Sequence, residues 1–242
     1  MATRRAPPVL APRKLPTQAR AQRTYRAIVE AGARVLERQG YEALTTNHVA
    51  ELAGVGIASL YEYFPNKHAL TAEIVRHVLD GLLAELGAST QLITSAPPEA
   101  AMRAWLGAMY AAVAKRRAVV TVIVQEVPFL WAIPAVEQAR TLLLALARST
   151  RDLDARVRRA PPLSDATLYL LATMTGAAVL EAVLRPPDDH APDELIAALA
   201  EIVLRATGQP SAPRRPPPPG RARVPGPRRK VVGKPRRAPP VS

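Results

Sequence analysis

The sequence predicts an all-α fold. Ala, Leu and Val recur at helical spacing over most of the 242 residues, whereas aromatic residues make up only 4% of the chain. Prolines and glycines divide these stretches into segments of helix length, and the sequence has no strand-rich segment. The length and an apolar content of 48% are sufficient for two modest helical domains.

The first helix is predicted upstream of Gly40, which ends it. Its apolar residues recur at i, i+3, i+4, i+7, i+10 and i+11, as expected for one face of an amphipathic helix. These residues are Tyr25, Ile28, Val29, Gly32, Val35 and Leu36. This face is suited to support the elements that follow it.

Two short helices around a glycine turn are predicted between Thr45 and Lys67, in the segment TTNHVAELAGVGIASLYEYFPNK. Thr45 is the expected N-cap of the first, and Gly54 can adopt the positive φ that closes it. The second runs from about Ile57 to Phe64, where the following proline stops it. Small and apolar residues between them allow the close, steep packing of a helix-turn-helix, which is a DNA-reading unit.

Asn66 can cap a fourth helix, whose apolar stripe consists of Leu70, Ile74, Val78 and Leu82. Further helices are marked off by proline pairs and glycine. They are expected at about 99–116, 118–131 with a break near Pro128, 135–158, 163–184 and 193–207.

The segment AELAGVGIASLYEYFPNKHAL resembles the DNA-binding signature of TetR/AcrR-type transcriptional regulators. The resemblance extends upstream through the first helix and covers about a quarter of the chain. It implies an N-terminal three-helix helix-turn-helix domain and a C-terminal helical domain for ligand binding and dimerisation. Gly56 stands where the family usually has Ser or Thr, which removes a side-chain cap at a cost of a few tenths of a kcal/mol.

The resemblance implies roles for residues in and around the second short helix. Tyr61, Tyr63 and Lys67 occupy positions that contact the DNA backbone in the family, and Thr45, Thr46 and Gly56 lie near helix starts that offer further donors. Base reading falls to Ile57, Ala58 and Ser59, with Asn47 as a candidate adenine reader. Because these are weakly discriminating residue types, we expect DNA shape to supply part of the specificity.

The C-terminal domain is expected to bind a small-molecule effector and to dimerise. Bulky side chains gather in the helices that line the effector cavity of similar proteins, and either a pocket or an ordinary core accounts for them. The pocket hypothesis includes Met102, Trp105, Met109, Tyr110, Glu126, Phe129 and Trp131. Glu126 either faces a cationic effector or points to solvent. The wide apolar faces of the last two helices favour a homodimer built as a four-helix bundle.

The positive charge of the chain is concentrated at its ends. Five Lys or Arg lie in residues 1–20 and ten in 209–242, and neither segment contains an acid. The two ends together hold two more positive charges than the formal net charge of +13, so residues 21–208 carry a net charge of −2. Both ends are proline-rich and have little apolar surface, so residues 1–21 and 209–242 are expected to be disordered basic segments. Such segments can attract phosphates, or can have no selected role.

Other functional classes lack their signatures. The chain has no cysteine, and its four histidines show no metal-binding spacing, so no catalytic residue, metal or cofactor is predicted. No signal peptide is expected, and polar residues interrupt the apolar runs, which favours buried helices over membrane spans.

The predicted domains are 22–82 for DNA binding and 83–208 for effector binding and dimerisation. We therefore interpret the sequence as a cytoplasmic bacterial regulator that binds an operator as a dimer. The alternative is an architectural DNA-binding protein with little sequence specificity.

Overall fold

The observed helices begin and end close to the predicted boundaries. The computed structural model describes residues 9–158 and 163–208, and within these ranges it contains nine α-helices and no strand. The helices are α1 (Ala19–Ala43), α2 (Thr46–Leu52), α3 (Ile57–Tyr63), α4 (Lys67–Ser95), α5 (Pro98–Ala114), α6 (Arg117–Glu126), α7 (Pro134–Arg158), α8 (Asp165–Leu184) and α9 (Pro192–Ala206). A short 3-10 turn, Leu130–Ala132, follows the predicted break near Pro128.

Capping residues and glycines set the boundaries of the N-terminal helices. The Thr45 hydroxyl accepts a hydrogen bond from the backbone N–H of His48 at 3.2 Å, and the Asn66 side chain accepts one from Ala69 at 2.8 Å. Both predicted caps are therefore confirmed. Gly40 has φ +81° and interrupts α1 three residues before its end. The predicted stop at this glycine appears as a kink, after which the chain makes one more turn.

The N-terminal helices share one apolar core. Ile28 and Leu36 of α1, Val49 of α2, Leu60 of α3 and Ile74 of α4 are all fully buried in it. The same core continues into α6, where Val119, Val120 and Ile123 are buried. The C-terminal helix α6 is thus packed directly against the DNA-binding unit, chiefly against α1.

A second, smaller core lies among the C-terminal helices. Leu86, Leu106, Met109, Val179 and Ala200 form it, and they come from α4, α5, α8 and α9. Since α4 contributes to both cores, it joins the two parts of the chain.

Glu85 ties α4 to the connection between α5 and α6. Its carboxylate accepts hydrogen bonds from Arg116 at 2.7 Å and from Lys115 at 3.0 Å. These two partners lower the pKa of Glu85 from 4.5 to about 2. The carboxylate therefore stabilises the fold above its unfolded pKa of 4.5, and this contribution is lost as the pH falls through about 2.

We predict that Glu85→Gln removes this acid-dependent part of the stability. Melting temperatures of the parent and the variant, measured from pH 7 to pH 2, should differ by a constant amount above about pH 5. The difference should shrink between pH 4.5 and 2, the window set by the lowered pKa. Parallel curves down to pH 2 would contradict the assignment.

The predicted basic segments differ in how far the structure describes them. Residues 1–8 and the predicted tail, 209–242, lie outside the described residues. In contrast to the expectation of disorder up to residue 21, residues 9–18 are described as non-helical chain and α1 begins at Ala19. Leu10 explains part of this difference, because its side chain packs against the N-terminal core.

Candidate DNA-binding site

The turn between α2 and α3 has the geometry that the glycine pattern predicts. Gly54 has φ +66°, and its N–H donates to the carbonyl of Glu51 at 3.0 Å. The next N–H, of Val55, donates to the carbonyl of Ala50 at 3.0 Å. Space around Gly54 is open, so the positive φ rather than crowding favours glycine here.

The first turn of α3 presents the predicted base-reading residues to solvent. Gly56 is its N-cap and gives no side-chain cap, as expected from its departure from the family pattern. Ile57 is 39% exposed and Ala58 is also exposed, whereas Ser59 is half-buried. Leu60 and Phe64 are fully buried in the core. One face of α3 therefore anchors the helix, and the other is free to enter a groove.

Tyr61 connects the exposed face of α3 with the start of α2. Its hydroxyl lies 3.0 Å from the hydroxyl of Thr46, and its side chain is 40% exposed. Asn47, the next residue of α2, is exposed as well. Thr45 and Thr46 thus lie beside the solvent face of α3, where they can act together with Tyr61.

Tyr63 does not join this surface. Only 6% of it is exposed, and its ring packs edge-on against Tyr25 at a centroid distance of 5.4 Å. The physical reason is angular, because residues two apart on a helix point in very different directions. Since Leu60 and Phe64 fix the buried side of α3, only Tyr61 of the two tyrosines faces solvent. The structure therefore does not support the backbone contact expected from Tyr63.

Lys67 is the first residue of α4, and its ammonium lies over an aromatic ring. Its Nζ is 3.9 Å from the ring centroid of Tyr41, a cation–π distance. This contact restrains a long, flexible side chain. Lys67 remains half-exposed, so its ammonium is accessible to a phosphate.

The N-terminal arm, residues 9–18, lies against α3, which the expectation of a disordered basic segment missed. The N–H of Arg13 donates to the carbonyl of Tyr63 at 2.7 Å, and Lys14 pairs with Glu62 at 2.8 Å. Because Glu62 is one turn after Ala58 on α3, the arm lies along the same exposed stripe. Lys14 thus neutralises the negative charge of Glu62 on this surface. The run of Arg and Lys without acids was the available signal.

The residues predicted to line an effector pocket fall into two separate groups. Met102, Trp105, Met109 and Tyr110 lie on α5, where Met109 is buried and the others pack against the same core. Glu126, Phe129 and Trp131 lie at the end of α6 and beyond it, next to the DNA-binding unit or in solvent.

The second group is therefore removed from the pocket hypothesis. Phe129 packs on His68 at a ring centroid distance of 5.0 Å, and Trp131 is 82% exposed. Glu126 accepts a hydrogen bond from the N–H of Tyr41 at 2.8 Å, so its carboxylate contacts α1 rather than a cavity.

A cavity of about 170 Å³ lies instead between α4 and α7. Its lining is entirely apolar and consists of Leu83, Leu86, Gly87, Leu142, Leu143 and Leu146. Leucines at helical spacing give no sequence signal that separates a cavity wall from a core, which is why the prediction favoured the aromatic residues instead. Among the described residues, no group of three or more His, Asp or Glu is placed to hold a metal.

Comparison with known proteins agrees with this arrangement. Residues 28–74 match the family model of bacterial regulatory proteins of the tetR family. No curated protein shows a significant sequence match to the chain.

Solved structures share the fold at low sequence identity. A putative TetR-family transcriptional regulator from Mesorhizobium loti has a TM-score of 0.59 and 20% identity, covering 78% of this chain and 98% of its own. FadR from Bacillus subtilis, solved in complex with stearoyl-CoA, has a TM-score of 0.57 and 14% identity, covering 77% and 100%. Residues 28–74 therefore match the DNA-binding region of tetR-family regulatory proteins, and the chain shares the fold of solved regulators of that family.

Proposed function

We propose that this protein is a one-component repressor that binds a pseudo-palindromic operator as a homodimer and is released by a small-molecule effector. The observation that carries the proposal is the exposed surface of α2 and α3. There Ile57, Ala58 and Tyr61 face solvent on one side of α3, whose opposite side is buried. The hydroxyl of Thr46 lies 3.0 Å from that of Tyr61.

Each element of this surface has a chemical role in the proposal. Ile57 and Ala58 contact thymine methyl groups, and Ser59 and Asn47 pair with base edges in the major groove. Tyr61, Thr45, Thr46 and the N–H groups around Gly56 donate to phosphates, and Lys67 supplies a positive charge. In a dimer, two copies of α3 enter successive major grooves about one helical turn, roughly 34–36 Å, apart.

Exposed apolar side chains on α8 and α9 support a homodimer. Leu170 is 57% exposed and Met174, one turn later, is 64% exposed, while Ile202 of α9 is 59% exposed. By length and composition α8 could cross a membrane, and only 22% of its apolar window is buried within the chain, so its apolar surface needs a further partner. A second copy of α8 and α9 would cover this surface in a four-helix bundle, so we propose a cytoplasmic dimer, nucleoid-associated when it is bound to DNA.

The cavity between α4 and α7 supports an apolar effector. Its lining offers contacts to a hydrocarbon or aromatic group and no charged partner. Trp105 packs in the same core as Leu86 and Leu143, which line the cavity, and its buried indole N–H has no partner among the described residues.

The binding of a sequence-specific operator is tested by selecting duplexes from a random pool with the full-length protein. The proposal predicts enrichment of a pseudo-palindrome whose half-sites are about one helical turn apart. An architectural protein would show no enriched sequence and equal affinity for selected and random duplexes, and that outcome would reject the repressor.

The phosphate contact of Lys67 predicts a change in salt dependence. Each lost contact reduces the slope of log affinity against log salt by about 0.9, so Lys67→Ala in a dimer should reduce it by roughly 2. The preference for operator over random duplex should be retained. Arg103→Ala is the matched control, because it removes an exposed cation from α5, which lies in the C-terminal domain. An unchanged slope for the Lys67 variant would remove this residue from the site.

A further inference from the structure

The last residue of α6 binds the backbone of the DNA-binding unit through its carboxylate. Glu126 Oε2 accepts a hydrogen bond from the backbone N–H of Tyr41 at 2.8 Å. The preceding residue, Gly40, makes room for this contact, since a Cβ there would lie 2.8 Å from the same oxygen. The two partners are 85 residues apart in the chain, so the bond joins the C-terminal helices to the last turn of α1.

Tyr41 transmits this contact towards the proposed DNA surface. It is 8% exposed, and its ring carries the Lys67 ammonium on its face at 3.9 Å. Phe129, which follows α6, packs against the same ring at a centroid distance of 6.1 Å. The Tyr41 ring is thus held by residues of and beyond α6, and it in turn holds Lys67.

We propose that Glu126 is a positioning residue for the phosphate contact of Lys67. By fixing the backbone of Tyr41, it keeps the aromatic face under the lysine and restricts the directions in which the ammonium can point. Any displacement of α6 then alters a DNA contact at the first residue of α4 directly, without being transmitted along the length of that helix. This inference rests on the proposed function, because it requires Lys67 to contact DNA.

Because Glu126 is negatively charged, the sign of the change in DNA affinity on replacing it distinguishes a positioning role from a purely electrostatic one. Removing an acid from a DNA-binding protein raises its affinity through general electrostatics. A positioning role predicts the opposite, a loss of affinity when Glu126 is replaced. A residue that served the fold alone would lower the melting temperature and leave the contribution of Lys67 unchanged.

The test is a double-mutant cycle on the full-length dimer with its selected operator. Glu126→Ala should weaken operator binding by about threefold to tenfold, within the range observed for coupled neighbours, and should reduce the salt slope. In the Lys67→Ala background the same substitution should have no further effect. Glu126→Gln, which keeps an oxygen acceptor for the Tyr41 N–H, should bind nearly as the parent does.

Matched variants separate this role from charge and from folding. Glu137→Ala removes an exposed acid from α7 and should not weaken binding. Tyr41→Leu removes the aromatic face and should reproduce the pattern of Glu126→Ala even if the latter folds poorly, whereas Tyr41→Phe keeps the ring and should bind as the parent does.

Two outcomes overturn the inference while the proposed function stands. In the first, Glu126→Ala loses the same affinity in the parent and in the Lys67→Ala background. In the second, the parent selects an operator and the Glu126→Ala variant binds that operator more tightly than the parent does. If Lys67→Ala leaves the salt slope unchanged, the inference fails as well, because no contact exists to be positioned. Failure of the parent to select any sequence would instead reject the proposed function itself.

Discussion

Introducing glutamate at Met174 should convert the protein into monomers and abolish operator binding. Met174 and Leu170 form an exposed apolar stripe on α8 that is covered only by a second copy in the proposed dimer. The substitution removes about 2 kcal/mol of apolar burial for each protomer and places a carboxylate of each protomer in the proposed interface, which costs several kcal/mol more. The dimer dissociation constant should therefore rise by at least about 10³-fold.

Analytical sedimentation of parent and variant at the same protein concentrations measures the fraction of dimer directly. Leu52→Glu is the control for oligomeric state, because Leu52 is also an exposed apolar residue, 45% accessible, but lies on α2. It should remain dimeric. Met174→Glu should stay helical and monomeric, and should bind a half-site only weakly. A Met174→Glu protein that sediments as the parent does would place the interface elsewhere.

Local sequence signals were sufficient for the helix-turn-helix unit. Thr45 and Asn66 cap helices through their own side chains, and Gly54 adopts the positive φ of the turn. Such features depend on residues within a few positions of each other, so the chain carries them in its local sequence. The apolar stripe around Ile28 and Leu36 likewise predicted which face of α1 is buried.

Contacts between distant residues were beyond the reach of these signals. Tyr63 packs on Tyr25 of α1, and the segment Thr45–Lys67 does not contain the identity of this partner, although the positions of Leu60 and Phe64 already turn Tyr63 towards the core. Glu126 is an acid in an apolar run, and both interpretations considered for it, effector partner or solvent-exposed residue, missed the N–H of Tyr41 that it binds. Its partner lies behind a kink whose direction only the folded chain defines.

The cavity illustrates a different limit. The pocket hypothesis placed the cavity at α5 because of its aromatic and methionine residues. The cavity is lined instead by leucines of α4 and α7, with one glycine. A leucine that lines a cavity and one that fills a core occupy the same helical positions, since both avoid water. Which of them faces empty space depends on the fit between two helices, and a single sequence does not record it.

Gly40→Ala should produce the largest loss of stability of any glycine substitution considered. The residue has φ +81° and ψ 178°, a conformation that is essentially restricted to glycine, and forcing alanine into it costs about 1–3 kcal/mol. The new methyl group would also displace the Glu126 carboxylate and with it the hydrogen bond to Tyr41. A total of about 2–3 kcal/mol should lower the melting temperature by roughly 5–10 °C.

Gly107→Ala provides the control with the opposite expected sign. Gly107 lies within α5 with open space around its Cβ position, so alanine there should stabilise the helix by about 0.5–1 kcal/mol. Thermal unfolding of both variants distinguishes backbone strain from a general intolerance of alanine. If Gly40→Ala has the same melting temperature as the parent, the kink in α1 relaxes at no cost in free energy. The kink then cannot hold Tyr41 rigidly in place. A large loss in Gly40→Ala beside a gain in Gly107→Ala would instead show that the positive φ at this kink is built into the contact between α6 and the DNA-binding unit.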